Sequence, residues 1–284
     1  MGRLGSDRLD GIARATPRTY YLALGDSLSV GVQPIGSEAR QFRTADGYPD
    51  QLAEMVRQRM PGLRVAKLGY PGESTRTMLD GSLGGYIQGS QLLDAVAFLA
   101  EHAGSVAFVT IDIGFNDVPT RDLEGLAIGM GAVRENLPGI LRELRRATGP
   151  STPIIGMTIY DPLLAAWLQG REGQELARAS VFDAVLPMNA HLVEIYRAVG
   201  IAVADVEGDF STADFETQVR VEGIGTVPLN VARILSWTWA GAPPPLGPDV
   251  HANARGYRVI AESFRRVLFD RRVAAPLVGS RAAP

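Results

Sequence analysis

The most reactive feature of this sequence is a serine placed where a strand is predicted to end. Gly25-Asp26-Ser27-Leu28-Ser29 follows directly after the apolar run Tyr20–Leu24. A strand holds its last residues rigidly, and the turn that follows it lifts the Ser27 hydroxyl out of the sheet. The same residue types are ordinary turn formers, so a simple turn remains the alternative for this segment alone. To act as a nucleophile, Ser27 needs a base and donors for an oxyanion.

Histidine is the usual base for a serine nucleophile, because its pKa lies near neutral pH. The chain has three histidines. His102 lies at the end of a predicted helix and His191 lies within another, and both are expected to be structural or solvated. His251 lies in a predicted loop just before the last helix, where catalytic residues are often found. We therefore expect His251 to be the base.

Two glycine-containing turns are suited to stabilise an oxyanion. The turn at Gly72 follows the second predicted strand and can present its backbone N–H. Gly114-Phe115-Asn116-Asp117 follows the third strand and can present the Asn116 amide. A turn-forming role for Gly72 is compatible with donation, whereas helix capping is the alternative for Asn116.

These turns follow the ends of regularly spaced predicted strands. Apolar runs alternate with helical patterns, which predicts a parallel sheet with helices on both faces. Ligands bind at the carboxyl ends of such strands, so the candidate residues are expected to cluster there. Pro138 lies within one helical pattern, which is expected to kink there or to begin near Asn136. The five predicted strands are Tyr20–Leu24, Leu63–Leu68, Val106–Ile113, Pro153–Ile159 and Ile201–Val206.

Residues 207–247 depart from the alternation of strands and helices. They are rich in apolar and aromatic residues, including Trp237 and Trp239. A loop of this length is usually functional or partly structured. We expect a flap that gates or lines a substrate pocket, with packing beneath the flap as the alternative for both tryptophans. The chain is otherwise predicted to form a single domain over 19–270, between flexible segments at 1–18 and 271–284.

Composition excludes several classes of function. A net charge of −3 and a pI near 5.7 argue against a nucleic-acid partner. No apolar run approaches the ~20 residues of a transmembrane helix. The absence of cysteine removes thiolate chemistry, and three widely separated histidines predict no metal site. No glycine-rich motif for a nucleotide cofactor follows a strand, so no cofactor is expected.

The first eighteen residues lack the apolar centre of a signal peptide. The compartment therefore stays open: exported if a signal was removed, and cytoplasmic otherwise. The oligomeric state is open as well.

Four segments together resemble blocks I, II, III and V of the GDSL, or SGNH, hydrolases. They are Gly25–Ser29, Gly72, Gly114–Asp117 and Asp249–His251, and they occur in the family's order. The resemblance spans residues 20–265. It implies a flavodoxin-like three-layer α/β/α fold with a five-stranded parallel sheet, and ester hydrolysis without a metal.

The resemblance also implies a role for each matched residue. Ser27 would be the nucleophile and His251 the base, with an oxyanion hole made by the N–H groups of Ser27 and Gly72 and the side chain of Asn116. The family's usual acid stands three residues before the histidine, where this chain has Pro248. Asp249, two residues before, is predicted to orient His251, with the Pro248 carbonyl as the alternative.

The sequence therefore predicts a carboxylic ester hydrolase, an esterase or a lipase, acting on a small-molecule acyl ester or a lipid. A carbohydrate O-deacetylase or an acyltransferase on the same fold is the enzymatic alternative. An inactive binding module with this fold is the alternative from another class.

Overall fold

The computed structural model describes residues 18–36, 40–119 and 123–270. The terminal segments predicted at 1–18 and 271–284 lie outside these residues, except for Arg18.

A five-stranded parallel sheet forms the centre of the described chain. Its strands are ordered β4-β1-β5-β6-β7, and four further strands pair as the antiparallel hairpins β2–β3 and β8–β9. All five predicted strands are confirmed, with small shifts at their ends. The strands are β1 (Tyr20–Gly25), β2 (Val32–Ile35), β3 (Arg40–Arg43), β4 (Arg64–Lys67), β5 (Val106–Asp112), β6 (Ile154–Met157), β7 (Ala202–Ala204), β8 (Gln218–Val221) and β9 (Gly225–Pro228).

Helices connect the strands and cover both faces of the sheet. Pro138 lies inside α4, so the alternative that this helix begins near Asn136 is wrong. Proline removes one backbone hydrogen bond, but an apolar stripe that includes the buried Leu137 and Leu141 keeps the helix packed on both sides of it. The helices are α1 (Tyr48–Arg57), α2 (Thr75–Asp80), α3 (Gln91–Glu101), α4 (Leu123–Thr148), α5 (Arg171–Ala179), α6 (Leu186–Ala198), α7 (Val206–Asp209), α8 (Leu229–Trp237) and α9 (Ala254–Leu268).

The central sheet separates two hydrophobic clusters. Along β1, Tyr21 and Ala23 belong to the cluster that includes α1 and α9, whereas Leu22 and Leu24 belong to the one that includes α3, α4 and α6. Successive side chains of a strand point to opposite faces, so this alternation shows that both faces are covered. The expected three-layer α/β/α arrangement is thereby confirmed.

The strand order places the carboxyl ends of β1 and β5 side by side. The chain leaves β1 toward β4 and later crosses back to β5, so the connections diverge at this point and leave a crevice. Ser27 follows β1, and Asn116 follows β5. His251 reaches the same edge of the sheet from the loop before α9.

Several apolar side chains of residues 207–247, the segment predicted as a flap, pack in the core, while much of the rest of the segment is exposed. The segment contains the β8–β9 hairpin and α8. Phe210, Phe215, Val231 and Ile234 are buried in the same cluster as the apolar face of α9. Their apolar composition is therefore accounted for by packing, because burying such side chains stabilises the fold.

Candidate active site

Ser27 lies in the tight turn between β1 and a 3₁₀ helix that begins at Leu28. Gly25 has a φ of 127°, and a Cβ there would lie 1.8 Å from the carbonyl oxygen of Asp112, so only glycine lets β1 pass this close to β5. Asp26 Oδ1 then accepts the N–H of Leu28 at 2.9 Å and caps the turn. The Ser27 hydroxyl makes one long contact of 3.5 Å to the same oxygen, which leaves it weakly held.

The structure brings together the four residues that the sequence blocks contribute. Ser27, Gly72, Asn116 and His251 all line one cavity of about 240 Å³ at the carboxyl edge of the sheet. A cavity in the crevice between diverging strand connections is the usual ligand site of such a sheet.

The other two histidines lie away from this cavity. His102 caps the end of α3 and stacks on Tyr20, with ring centroids 4.1 Å apart. His191 lies on α6, where its Nε2 is 2.8 Å from the guanidinium of Arg134. Both are structural contacts of helices, as the sequence predicts.

The backbone on each side of His251 is fixed by hydrogen bonds. Trp239 N–H donates to the His251 carbonyl at 2.9 Å, and Asp249 N–H donates to the Trp239 carbonyl at 3.1 Å. The Tyr160 hydroxyl donates to the Val250 carbonyl at 2.9 Å. His251 is only 6% exposed. A loop held in this way presents its ring with little freedom to move.

Asp249 is the acceptor at the His251 ring. Its Oδ1 accepts the His251 backbone N–H at 2.9 Å and lies 2.6 Å from Nδ1. The two-residue spacing suffices because an aspartate side chain naturally reaches the N–H two residues on. Of the two expected acceptors, Asp249 rather than the Pro248 carbonyl therefore holds the ring.

Hydrogen bonds keep Asp249 ionised. Burial raises the pKa of this carboxyl, but the bonds from the His251 ring and backbone, and a 2.8 Å bond from the Gln41 amide to Oδ2, outweigh burial and set the pKa below its usual value. Sequence reasoning missed Gln41, because nothing in its surroundings in the sequence marks it.

The turn at Gly72 leaves a backbone donor at the cavity. Glu73 N–H donates to the Tyr70 carbonyl at 3.1 Å, and Gly72 has a φ of 84° after Pro71, which is the arrangement of a type II turn. Neither the Gly72 N–H nor the Ser27 N–H has an acceptor among the residues that the structure describes. Unpaired donors that line a cavity are what an oxyanion site requires.

The amide of Asn116 is oriented by two acceptors. Its Nδ2 donates to the Glu73 carbonyl at 3.0 Å and to Asp26 Oδ2 at 3.3 Å. The carboxylate of the neighbouring Asp117 accepts the Thr75 N–H at 2.9 Å at the start of α2, whose N-cap is Ser74. The longer contact of Asn116, to Asp26, is the weaker of its two bonds.

A second carboxyl group, that of Asp112, lies against the carboxyl group of Asp26. Asp26 and Asp112 are 3% and 1% exposed, and their carboxyl groups are hydrogen-bonded to each other. The Tyr48 hydroxyl donates to Asp112 Oδ1 at 2.7 Å. Burial raises the pKa of both carboxyls, and the charge of Asp26 raises the pKa of Asp112 further.

Two buried carboxyl groups in hydrogen-bond contact hold one proton between them. We assign the proton to Asp112 and the negative charge to Asp26, because the Leu28 N–H and the Asn116 amide both donate to Asp26 and stabilise a charge there. The only signal in the sequence was an aspartate within the apolar strand β5. What that aspartate contacts depends on the register of β5 against β1, in which Gly25 lies beside Asp112.

Trp237 and Trp239 contact the His251 loop through backbone hydrogen bonds. Their side chains line neither the cavity that holds Ser27 and His251 nor the larger cavity beside it. Trp237 packs edge-on against Phe210 at 5.2 Å, and Trp239 Nε1 donates to Gln33 at 3.2 Å. The chain between them pairs with the His251 loop through the Thr238–Ala252 bridge. Both side chains thus make packing contacts, which is the alternative that the sequence analysis left open for them.

Within the described ranges, no cluster of three or more histidine, aspartate or glutamate side chains is arranged to hold a metal ion. The same residues contain no helix with the length and apolarity needed to cross a bilayer.

Asp112→Asn should change how stability depends on pH. In the folded protein Asp112 keeps its proton, whereas the unfolded chain releases it above roughly pH 4. The contribution of Asp112 to the free energy of unfolding is therefore complete below that pH and is lost as pH rises toward the raised pKa. The loss is at most about 1.4 kcal/mol per pH unit. In denaturant unfolding between about pH 5 and 8, the free energy of unfolding of the variant should therefore increase relative to that of the wild type as pH rises. Parallel curves would contradict the shared proton, and Asp46→Asn, at an exposed position, serves as the control.

The comparisons with known proteins agree with this architecture. A model of the GDSL-like Lipase/Acylhydrolase family matches residues 23–259. An acetylxylan esterase from Geobacillus stearothermophilus superposes with a TM-score of 0.54 at 17% identity, covering 94% of this chain and 99% of that one. An extracellular lipase from Streptomyces rimosus gives a TM-score of 0.51 at 18% identity, covering 88% and 99%.

A putative GDSL-like lipase from Parabacteroides merdae has a TM-score of 0.54 at 15% identity, covering 89% of this chain and 96% of that one. No curated protein is similar enough in sequence to count as a match. At these identities the solved structures show a shared fold. The family model, in contrast, spans most of the sequence and contains every residue of the cavity just described. The chain belongs to the GDSL-like lipase/acylhydrolase family.

Proposed function

We propose that this protein hydrolyses carboxylic esters, with Ser27 as nucleophile and His251 as general base. One observation carries the proposal: a weakly held serine hydroxyl and a histidine ring with an anionic partner line the same cavity as two unpaired backbone N–H groups. These are the parts that acyl transfer to serine requires. Family membership supports an ester as the substrate.

In the first half of the reaction, Ser27 Oγ attacks the ester carbonyl carbon while His251 Nε2 takes the hydroxyl proton. The carbonyl oxygen becomes an oxyanion, stabilised by the N–H groups of Ser27 and Gly72 and by the Asn116 amide. For Asn116, the N–H directed to Asp26 is the one available to the oxyanion, because its present bond is long at 3.3 Å. His251 then returns the proton to the leaving alcohol, and an acyl-serine remains.

In the second half, water attacks the acyl-serine and loses its proton to His251. Collapse of the second oxyanion releases the carboxylic acid, and the proton returns to Ser27 Oγ. Asp249 stabilises the imidazolium that forms in both halves and fixes the tautomer, with Nδ1 protonated and Nε2 free to accept. The 2.6 Å contact between Asp249 and Nδ1 supports this assignment.

Ser27→Ala should lower kcat on p-nitrophenyl acetate by at least ~10³ and leave the fold intact, because the variant retains the oxyanion donors but has no nucleophile. The comparison is Ser82→Ala, which removes an exposed hydroxyl and should keep full activity. An active Ser27→Ala enzyme would refute the assignment of the nucleophile.

Asp249→Asn keeps the shape of the side chain and removes its charge. With no anion at Nδ1, His251 loses both its tautomer preference and the stabilisation of the imidazolium, so kcat should fall by roughly 10²–10⁴. Steady-state kinetics on the same ester would measure the loss, again with Asp46→Asn as the unaffected control. A decrease of less than about tenfold would assign His251 to a dyad steadied by backbone alone.

A further inference from the structure

A larger cavity of about 670 Å³ adjoins the one that holds Ser27. The two share five lining residues, Gly72, Phe115, Asn116, Ile159 and Pro162, so they lie side by side. Ser27 and His251 line the smaller cavity but not the larger one. The larger volume lies within the ~300–1,000 Å³ that small-molecule sites usually have.

The wall of the larger cavity is mostly apolar. It is built by the 3₁₀ stretch Pro162–Gln169, by α5, and by a π-helical stretch, Ser180–Val185, that joins α5 to α6. The π-helical stretch alone contributes four of the lining residues, and such stretches occur often at functional sites. The apolar lining includes Val118, Leu126, Leu163, Leu176, Val185 and Met188.

The buried polar side chains on the α5 side of this wall, Asp161 and Ser180, are hydrogen-bonded within the protein. Asp161 accepts the hydroxyl of Ser180, and its Oδ1 accepts the Leu163 N–H at 2.9 Å. Asp183 lies at an exposed position, at the solvent side of the wall. Apart from the proposed oxyanion donors Gly72 and Asn116, the described part of the wall therefore offers mainly apolar contacts, which favour an acyl chain over a sugar.

The reaction geometry decides which half of an ester enters this cavity. The carbonyl oxygen lies against the donors Gly72 and Asn116, and the leaving alcohol must lie near His251 to receive its proton. The acyl substituent then extends away from His251. The larger cavity contains the two oxyanion donors in its wall and not His251, so it lies on the acyl side.

We propose that the larger cavity binds the acyl chain of the substrate, an unbranched fatty acyl group longer than acetyl. This rests on the proposed ester hydrolysis at Ser27. Leu176 is 45% exposed and Ala179 is exposed as well, so the cavity is open toward solvent and a long chain can extend beyond it. Each methylene that becomes buried should raise kcat/KM by up to about fourfold.

Chain length is tested first with p-nitrophenyl acetate, butyrate and octanoate. The wild-type protein should hydrolyse octanoate with a kcat/KM at least about tenfold above acetate, since buried methylenes add binding energy. Ser27-dependent hydrolysis in which acetate is the best substrate would overturn the acyl-pocket proposal and leave the proposed function standing. Failure of the proposed function itself would appear as no Ser27-dependent hydrolysis of any ester.

Two variants then reduce the cavity. Ala179→Trp and Ala184→Phe add bulk to its wall, at an exposed and a half-buried position respectively. Each should lower kcat/KM on octanoate by at least about tenfold and change acetate by less than about threefold. Ala190→Trp is the matched control, since it adds the same bulk at an exposed position on α6 outside both cavities. Unchanged octanoate-to-acetate ratios in both cavity variants would overturn the proposal, and acetate turnover shows that each variant is folded.

An isomeric pair of esters distinguishes the acyl side from the alcohol side. Ethyl octanoate and octyl acetate have the same atoms but carry the long chain on opposite sides of the ester. The proposal predicts that ethyl octanoate is preferred and that Ala179→Trp removes the preference. If octyl acetate is preferred and Ala179→Trp removes that preference, the cavity binds the alcohol and the assignment is overturned.

Discussion

The site depends on one contact between neighbouring strands, the hydrogen bond between the carboxyl groups of Asp26 and Asp112 at the ends of β1 and β5. Asp112 lies where two connections diverge, and its proton lets Asp26 stay anionic in a buried position. Asp26 then caps the turn that carries Ser27 and accepts a bond from Asn116. The proposed nucleophile and one proposed oxyanion donor are thus held by the same carboxylate.

The remaining parts of the site are held independently of this contact. His251 is fixed by backbone bonds to Trp239 and Tyr160 and by Asp249, which are contributed by later parts of the chain. The proposed acyl cavity is built by the segment after β6. A sheet edge fixed by backbone pairing therefore holds the residues proposed to react, while the surrounding helices shape the proposed acyl cavity. Such an arrangement lets specificity change without disturbing the reacting groups.

How far the sequence predicts this structure depends on whether a feature is local. The five strands and the positions of Ser27 and His251 follow from apolar runs, turn residues and placement before a helix, which are local signals. The bond between Gln41 and Asp249 joins residues 208 positions apart, and the contact of Asp26 with Asp112 depends on strand register. The apolar residues of 207–247 fit both a pocket wall and a core, and composition cannot distinguish the two. The cavity beside α5 depends on how the helices there pack, which no motif encodes.

The central claim, that Ser27 is the reacting group, is tested most directly by covalent labelling. A fluorophosphonate reacts with an activated serine and stays attached, so peptide mass spectrometry identifies the labelled residue. The account predicts one label per chain, located on Ser27, because among the serines that the structure describes only Ser27 lines the cavity that also holds His251 and the proposed oxyanion donors. A label on Ser29 or Ser74, or no label on a protein that hydrolyses esters, would contradict it.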